Sequence, residues 1–183
     1  MNHQGTNPLQ TERLILRRFQ VEDAEEFYCN VTSDNKVNKF LTWPVHQEAN
    51  ETRELLTGWV ERYETPERYC WAIVLKENNQ LIGTIAAPTI KNRTETAEVT
   101  YCIGSAWWGL GIVTEALKEV IRYLFEEIQV NRVEAGYDVN NPASGRVLEK
   151  VGMQKEGVLR KAGRNNQGLF DLMFCAILEG DLR

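Results

Sequence analysis

Histidine is scarce in this chain, two residues in 183, and the four cysteines Cys29, Cys70, Cys102 and Cys175 are scattered without a Cys-x-x-Cys pair. That combination excludes the common zinc ligand sets, and no metal is expected. Three of the cysteines lie in apolar surroundings and read as buried thiols rather than nucleophiles or disulfide partners. No apolar run reaches the roughly 18 residues that a membrane span needs, and the polar first dozen residues hold no signal-peptide core. A cytoplasmic protein that does not enter membranes is expected. Basic charge is also short: Lys and Arg number 21 against 26 Asp and Glu, a formal net charge of -5. Nucleic acid is therefore not an expected partner, because binding it depends on clustered Lys and Arg. The chain has no Gly-Lys-Ser/Thr of a Walker loop, no internal repeat and no low-complexity linker.

What is present is an ordinary globular composition, 43% hydrophobic and 26% charged. Residues 1–10 are expected to be a flexible leader and residues 11–183 a single domain. The most informative stretch runs from Tyr101 to Ile128. It reads as a strand, a loop with Gly109 and Gly111, and then a helix whose Ala116, Leu117, Val120, Ile121, Leu124, Phe125 and Ile128 form one apolar stripe. Glycines at a helix N-terminus make an anion site. The first backbone N–H groups lack intrahelical partners, the helix dipole favours negative charge, and glycine lets the backbone come close.

Before that stretch, the pattern predicts a strand over Leu14–Phe19, a helix over Glu22–Thr32 and irregular chain over Asp34–Phe40. Pro44 closes the segment containing Trp43, which either lines a pocket or plugs the core. A helix is predicted over Asn50–Tyr63, then three strands in a meander over Tyr69–Leu75, Leu81–Ile90 and Ala97–Ile103. After the long helix, Arg132–Asp138 reads as a strand able to pair in parallel with the third meander strand. A helix starts at Asn141 as N-cap with Pro142 at the first helical position and Gly152 past its end. Strands near Gln154–Leu159 and Leu169–Leu178 complete an α/β (α+β) fold: a mixed, mostly antiparallel sheet of about six to seven strands with helices on both faces. A dinucleotide loop would need a third Gly or Ala at Thr114 and a doubly wound sheet; a meander precedes this loop instead.

Three blocks in order, Thr11-Glu12-Arg13-Leu14-Ile15-Leu16-Arg17, Trp108 through Ala116, and Asn141-Pro142-Ala143-Ser144 with Arg146 through Gly152, resemble the GNAT superfamily of N-acetyltransferases of the RimJ/RimL type. Glu156 to Arg160 and Gly168 with Asp171 resemble its C-terminal hairpin. The likeness spans nearly the whole chain, and it departs at Leu110, where the family often carries a lysine or arginine, and at Val113, where it often carries alanine or glycine. The resemblance implies an acyl-CoA N-acyltransferase fold and acetyl transfer from acetyl-CoA to a primary amine by direct attack. It implies acetyl-CoA as co-substrate, held by Cys102, Ile103, Trp108, Gly109, Leu110, Gly111, Ile112, Val113, Thr114 and Asn141.

Such chemistry requires the amine to lose a proton, the thioester oxygen to find donors, and the departing thiolate to receive a proton. Ser144 matches the family's general acid, and equally suits a hydroxyl bonding its own helical turn. Asn141 fits a contact to the pantetheine arm or a plain N-cap. Glu98 is the nearest candidate base, directly or through water, and could instead be an exposed strand glutamate. Tyr101 either bonds substrate or packs, and Asp138 and Asp171 are acidic candidates for holding a cationic amine. Of Trp107 and Trp108, one is expected on the core and the other over the cofactor or acceptor channel. With Trp43 and Tyr101 as substrate-binding candidates, the acceptor could be the N-terminus of a (ribosomal) protein or a small amine such as a polyamine, amino acid or antibiotic. A non-catalytic acyl-CoA sensor has the same motifs, and either a monomer or a homodimer fits the sequence.

Overall fold

A computed structural model describes residues 1–181. Eight strands form one sheet: β1 (Leu9–Gln10), β2 (Leu14–Arg17), β3 (Tyr69–Leu75), β4 (Leu81–Lys91), β5 (Thr96–Ile103), β6 (Arg132–Asp138), β7 (Gln154–Asn165) and β8 (Gly168–Leu178), in the spatial order β1-β2-β3-β4-β5-β6-β8-β7. Every pairing is antiparallel except β5 with β6. The expected mixed α/β sheet is present, with one strand more than the upper count because β1 went unread. Two residues carry too little pattern to announce a strand.

The sheet divides two cores. On one face lie α1 (Ala24–Phe27), α2 (Asn35–Asn38) and α3 (Ala49–Glu61), packed through Phe27, Val37 and Leu56. On the other lie α4 (Ile112–Glu126) and α5 (Pro142–Lys150), packed through the predicted apolar stripe of α4 and Leu148. Central β3 shows the consequence in sequence. Tyr69, Trp71 and Ile73 enter one core while Cys70, Ala72 and Val74 enter the other, so a strand buried on both faces reads as an unbroken apolar run.

Four expectations need correction. The first ten residues are not a loose leader: the Thr6 hydroxyl donates to Arg68 O at 2.7 Å and accepts from Cys70 N, Trp71 Nε1 reaches Asn7 O, and Leu9 is 7% exposed. Backbone bonds and one apolar side chain dock a segment whose composition is polar. The helix read over Glu22–Thr32 is broken into a 3-10 turn Val21–Asp23, α1 and a π turn Tyr28–Thr32, and the irregular Asp34–Phe40 contains α2, N-capped by the Asp34 carboxylate on Lys36 N. Finally, β7 extends to Asn165 across a bulge at residues 160–162, where Lys161 takes φ +53°.

Candidate active site

Proline shapes the cleft. Pro88 has no N–H, and the β4–β5 register slips between Ala86 and Thr89. Beside this bulge β5 leaves its parallel partner: β5 and β6 pair only at Thr96–Arg132, Ala97–Val133 and Glu98–Glu134. Beyond that point β5 stays bonded to β4 through Ile103, and β6 stays bonded to β8 through Asp138. A wedge opens between them. It leads into a cavity of about 740 Å³ lined by residues 99–103 of β5 and 135–138 of β6.

The glycine loop closes one end of the wedge. Gly109 and Gly111 adopt φ of +80° and +76°, a region unfavourable to any residue with a Cβ, and nothing lies within 4 Å of where a Cβ on Gly109 would stand. Gly111 is the left-handed N-cap of α4 and supplies no capping side chain. The backbone N–H groups of Gly109, Leu110 and Gly111 make no hydrogen bond among the described residues. With the first N–H groups of α4, they form a cradle of donors at a positive helix end.

At the wall of the wedge, α5 presents Asn141 and Ser144. Asn141 Oδ1 caps the helix by accepting from Ser144 N at 3.4 Å, which leaves its amide NH2 for other acceptors. Tyr101 Oη donates to Ser144 O at 3.1 Å and lies 2.9 Å from Ser144 Oγ. A phenol has one proton, so with that proton on the carbonyl the serine hydroxyl donates to Tyr101. Burial raises the Tyr101 pKa, and the Ser144 hydrogen bond only partly opposes it. The phenol therefore stays protonated at neutral pH.

A family described as "Acetyltransferase (GNAT) domain" matches residues 13–154, the span that contains the wedge, the loop and α5. The chain belongs to the GNAT acetyltransferase family. YjcK of Bacillus subtilis (strain 168), named a probable N-acetyltransferase, is 34% identical over 178 residues, covering 94% of this chain and 98% of that protein. The [ribosomal protein uS5]-alanine N-acetyltransferase of Escherichia coli (strain K12) is 24% identical over 160 residues, covering 81% and 79%. A GNAT acetyltransferase structure from Bacillus anthracis superimposes with a TM-score of 0.82 at 26% identity, covering 95% of this chain and 99% of that one.

As a GNAT protein the chain is an acetyl-CoA-dependent N-acetyltransferase, and its residues suit that co-substrate. The space at Gly109 is open beside free loop N–H groups, and the unpaired inner edges of β5 and β6 leave backbone groups facing the wedge where an amide-bearing arm would run. Of the sequence-derived cofactor residues, Cys102, Ile103, Trp108, Gly109, Gly111, Ile112, Val113, Thr114 and Asn141 line the cavity. Leu110 does not; its side chain is 55% exposed, so only its backbone belongs to the loop. Cys102 has no role as a nucleophile, since burial pushes its thiol up to about 12. Val113 packs into the α4 core and fills no part of the Gly109 cradle. Trp107 lies against the core, whereas Trp108 is half exposed with Nε1 bonded to Ile103 O at 3.0 Å.

The base expected at Glu98 is not in the site. Glu98 sits where β5 and β6 are still paired, opposite Glu134 and Thr89, and it does not line the cavity. Asp171 is also outside, its Oδ1 accepting from Lys161 N at the β7 bulge. Asp138 is the one carboxylate on the cavity wall among the described residues. Its Oδ1 accepts from Asn140 N and Nδ2, and its Oδ2 from Asn165 Nδ2 at 2.8 Å.

At one end of the cavity stand Phe40, Trp43 and Phe170 with Lys36 and Arg164. Trp43 lines the cavity, with a buried indole N–H that has no partner among the described residues. The hairpin tip is tied across this end: Asn166 N donates to Leu41 O at 3.1 Å, and its Nδ2 to Asn38 O at 2.8 Å and Trp43 O at 2.7 Å. Sequence reasoning missed this tie and the two α5 cations on the wall, Arg146 and Lys150. The latter had a signal, a pair spaced i, i+4 just after Ser144. Among the described residues no cluster of His, Cys, Asp and Glu could hold a metal, and no helix is long and apolar enough to cross a membrane.

Proposed function

We propose that this acetyltransferase acts on a primary amine by direct attack in a ternary complex, with Asp138 holding the amine and Ser144 protonating the departing thiolate. The observation that carries the reading is the meeting of four parts around one wedge: the loop amides, the Asn141 amide, the Ser144–Tyr101 pair and Asp138. A carboxylate has about four acceptor sites, and three donors already reach Asp138, so Oδ2 keeps capacity for one N–H of an ammonium. Glu98, off the cavity wall, takes no part in this reading. With no second carboxylate on the cavity wall among the described residues, water relays the amine proton outward, and the Ser144 hydroxyl, whose proton points to Tyr101 Oη at rest, turns it to the thiolate while Tyr101 shifts its own proton from Ser144 O to Ser144 Oγ. Juxtaposition of the amine and the thioester supplies much of the remaining rate.

The acceptor we favour is the N-terminal amine of a protein, in the cytoplasm. The Asn166 bonds hold the β7–β8 turn against residues 38–43, whose Phe40 and Trp43 line the cavity, and such an apolar wall suits the residues behind a peptide's terminal amine. The relative from Escherichia coli acts, by its name, on the alanine of a ribosomal protein, and this supports the same direction. The test is thiol release from acetyl-CoA with short peptides carrying different N-terminal residues, set beside spermidine, free amino acids and an aminoglycoside. Turnover of peptides above the small amines supports the reading. Turnover confined to a small amine replaces the acceptor, and acetyl-CoA binding without turnover of any amine in the panel makes the chain a sensor.

A further inference from the structure

The Thr11-Glu12-Arg13 segment of the sequence remains unexplained by the wedge, since none of these residues lines the cavity. All three precede β2, and the structure brings two of them to the start of α4. Glu115, in the first turn of that helix, accepts from Thr11 Oγ1 and from Arg13 N at 2.9 Å through Oε1, and from Arg13 Nε at 2.7 Å through Oε2. The same guanidinium donates from Nη1 to Leu110 O at 3.0 Å, and its Nη2 lies 3.7 Å from the place of a Cβ on Gly111. Arg13 thus joins three things: the entry to β2, the head of α4 and the carbonyl in the middle of the glycine loop.

A planar trans peptide links that carbonyl to the loop's function. The Leu110–Gly111 peptide is trans, as there is no cis peptide bond among the described residues, and in a trans peptide C=O and N–H point in opposite directions. Drawing Leu110 O outward to Arg13 therefore turns Gly111 N–H inward to the cavity, where it has no protein partner among the described residues. Arg13 also neutralises Glu115, a carboxylate that would otherwise stand beside an incoming polyanion. The loop has no cation at Leu110, and the guanidinium behind it, from a residue 97 positions away in the chain, offsets Glu115 and orients the peptide rather than adding net charge.

We propose that Arg13, anchored by Glu115 and Thr11, is a positioning residue for acetyl-CoA: it presets the Leu110–Gly111 peptide so that the loop N–H groups converge on the diphosphate. The inference rests on the acetyl-CoA reading of the loop. It distinguishes a device that acts on the diphosphate from one that merely ties β2 to α4, because only the former depends on which part of the ligand is present.

The experiment compares wild type with R13Q, R13K and E115Q in two measurements. Calorimetric titration with CoA and with dephospho-CoA reads the affinity, and thiol release reads kcat/KM for acetyl-CoA and for acetyl-pantetheine, which lacks the diphosphate. R13Q is expected to weaken CoA and dephospho-CoA alike by about tenfold, the scale of one oriented charge-assisted contact, while kcat/KM for acetyl-pantetheine stays within twofold. R13K, which keeps a cation but not the fork that spans Glu115 and Leu110, is expected to recover only part of the loss, and E115Q to follow R13Q at smaller amplitude. R13Q and R13K binding CoA as wild type does overturn the proposal. So does an equal loss with acetyl-pantetheine, which makes the contact a structural tie. A wild-type protein that binds neither CoA nor dephospho-CoA overturns the acetyl-CoA reading itself.

Discussion

Replacing Ser144 by alanine removes one hydroxyl from a pair whose geometry separates a catalytic from a structural role. In the folded protein that hydroxyl makes one hydrogen bond, to Tyr101 Oη at 2.9 Å. Its loss is worth about 1 kcal/mol of stability, or roughly 2–4 °C in Tm for a domain of this size. As general acid to the departing thiolate, the same hydroxyl is worth about 10² in rate at the low end for proton transfer, close to 2.7 kcal/mol of barrier. The two expectations differ enough to be read apart. S144A is expected to lower kcat for thiol release at least about 100-fold while CoA affinity changes little and Tm falls by no more than roughly 2–4 °C. Y101F leaves the serine in place but removes its proton source, so a drop of about tenfold is expected. Because the two groups act in series, the double variant should be no slower than S144A. An S144A enzyme within twofold of wild type in kcat, with its Tm lowered as stated, would refute the reasoning and leave Ser144 as a hydrogen bond in the first turn of α5.

Further outcomes follow from the same contacts. D138N should raise KM for the amine by about tenfold or more through the lost charge on the ammonium, with CoA affinity by calorimetry unchanged; an unaltered amine KM removes Asp138 from the acceptor site. N166A removes the two side-chain bonds across the acceptor end and should speed hydrogen exchange in residues 38–43 and 165–168, measured by mass spectrometry, while α4 stays protected. Burial alone would raise the Glu115 pKa, but hydrogen bonds from Thr11 and from the Arg13 backbone and side chain outweigh it and hold the carboxyl below its ordinary 4.5. A lowered carboxylate contributes stability that is present above 4.5 and lost as pH falls through the folded value. The Tm difference between wild type and E115Q should therefore be largest near neutrality and shrink below pH 4.5; a pH-independent difference contradicts the charge assignment. Saturating acetyl-CoA, at about 100 times its Kd, should add roughly 2.7 kcal/mol of stability, seen as a rise in Tm that inorganic phosphate at the same concentration does not reproduce.

Much of the architecture was legible because its signals are local. The apolar stripe of α4, the two glycines ahead of it, the Asn141 cap with Pro142, and the short apolar runs of the meander strands each depend on residues a few positions apart. They sufficed for the mixed sheet, the crossover helix and the glycine loop ahead of it. What the sequence could not decide is which distant side chains converge. Glu98 and Asp138 are both acidic residues on strands flanking the wedge, and only the short β5–β6 register, ending at Glu98 and Glu134, leaves one outside and places the other inside. Tyr101 and Ser144 meet across 43 positions, and Arg13 and Glu115 across 102. The glycine loop itself could be read from sequence as a place for an anion. Its orientation depends on a guanidinium from the far end of the sheet, because a peptide plane takes its direction from whatever bonds its carbonyl, and that partner is set by tertiary packing alone.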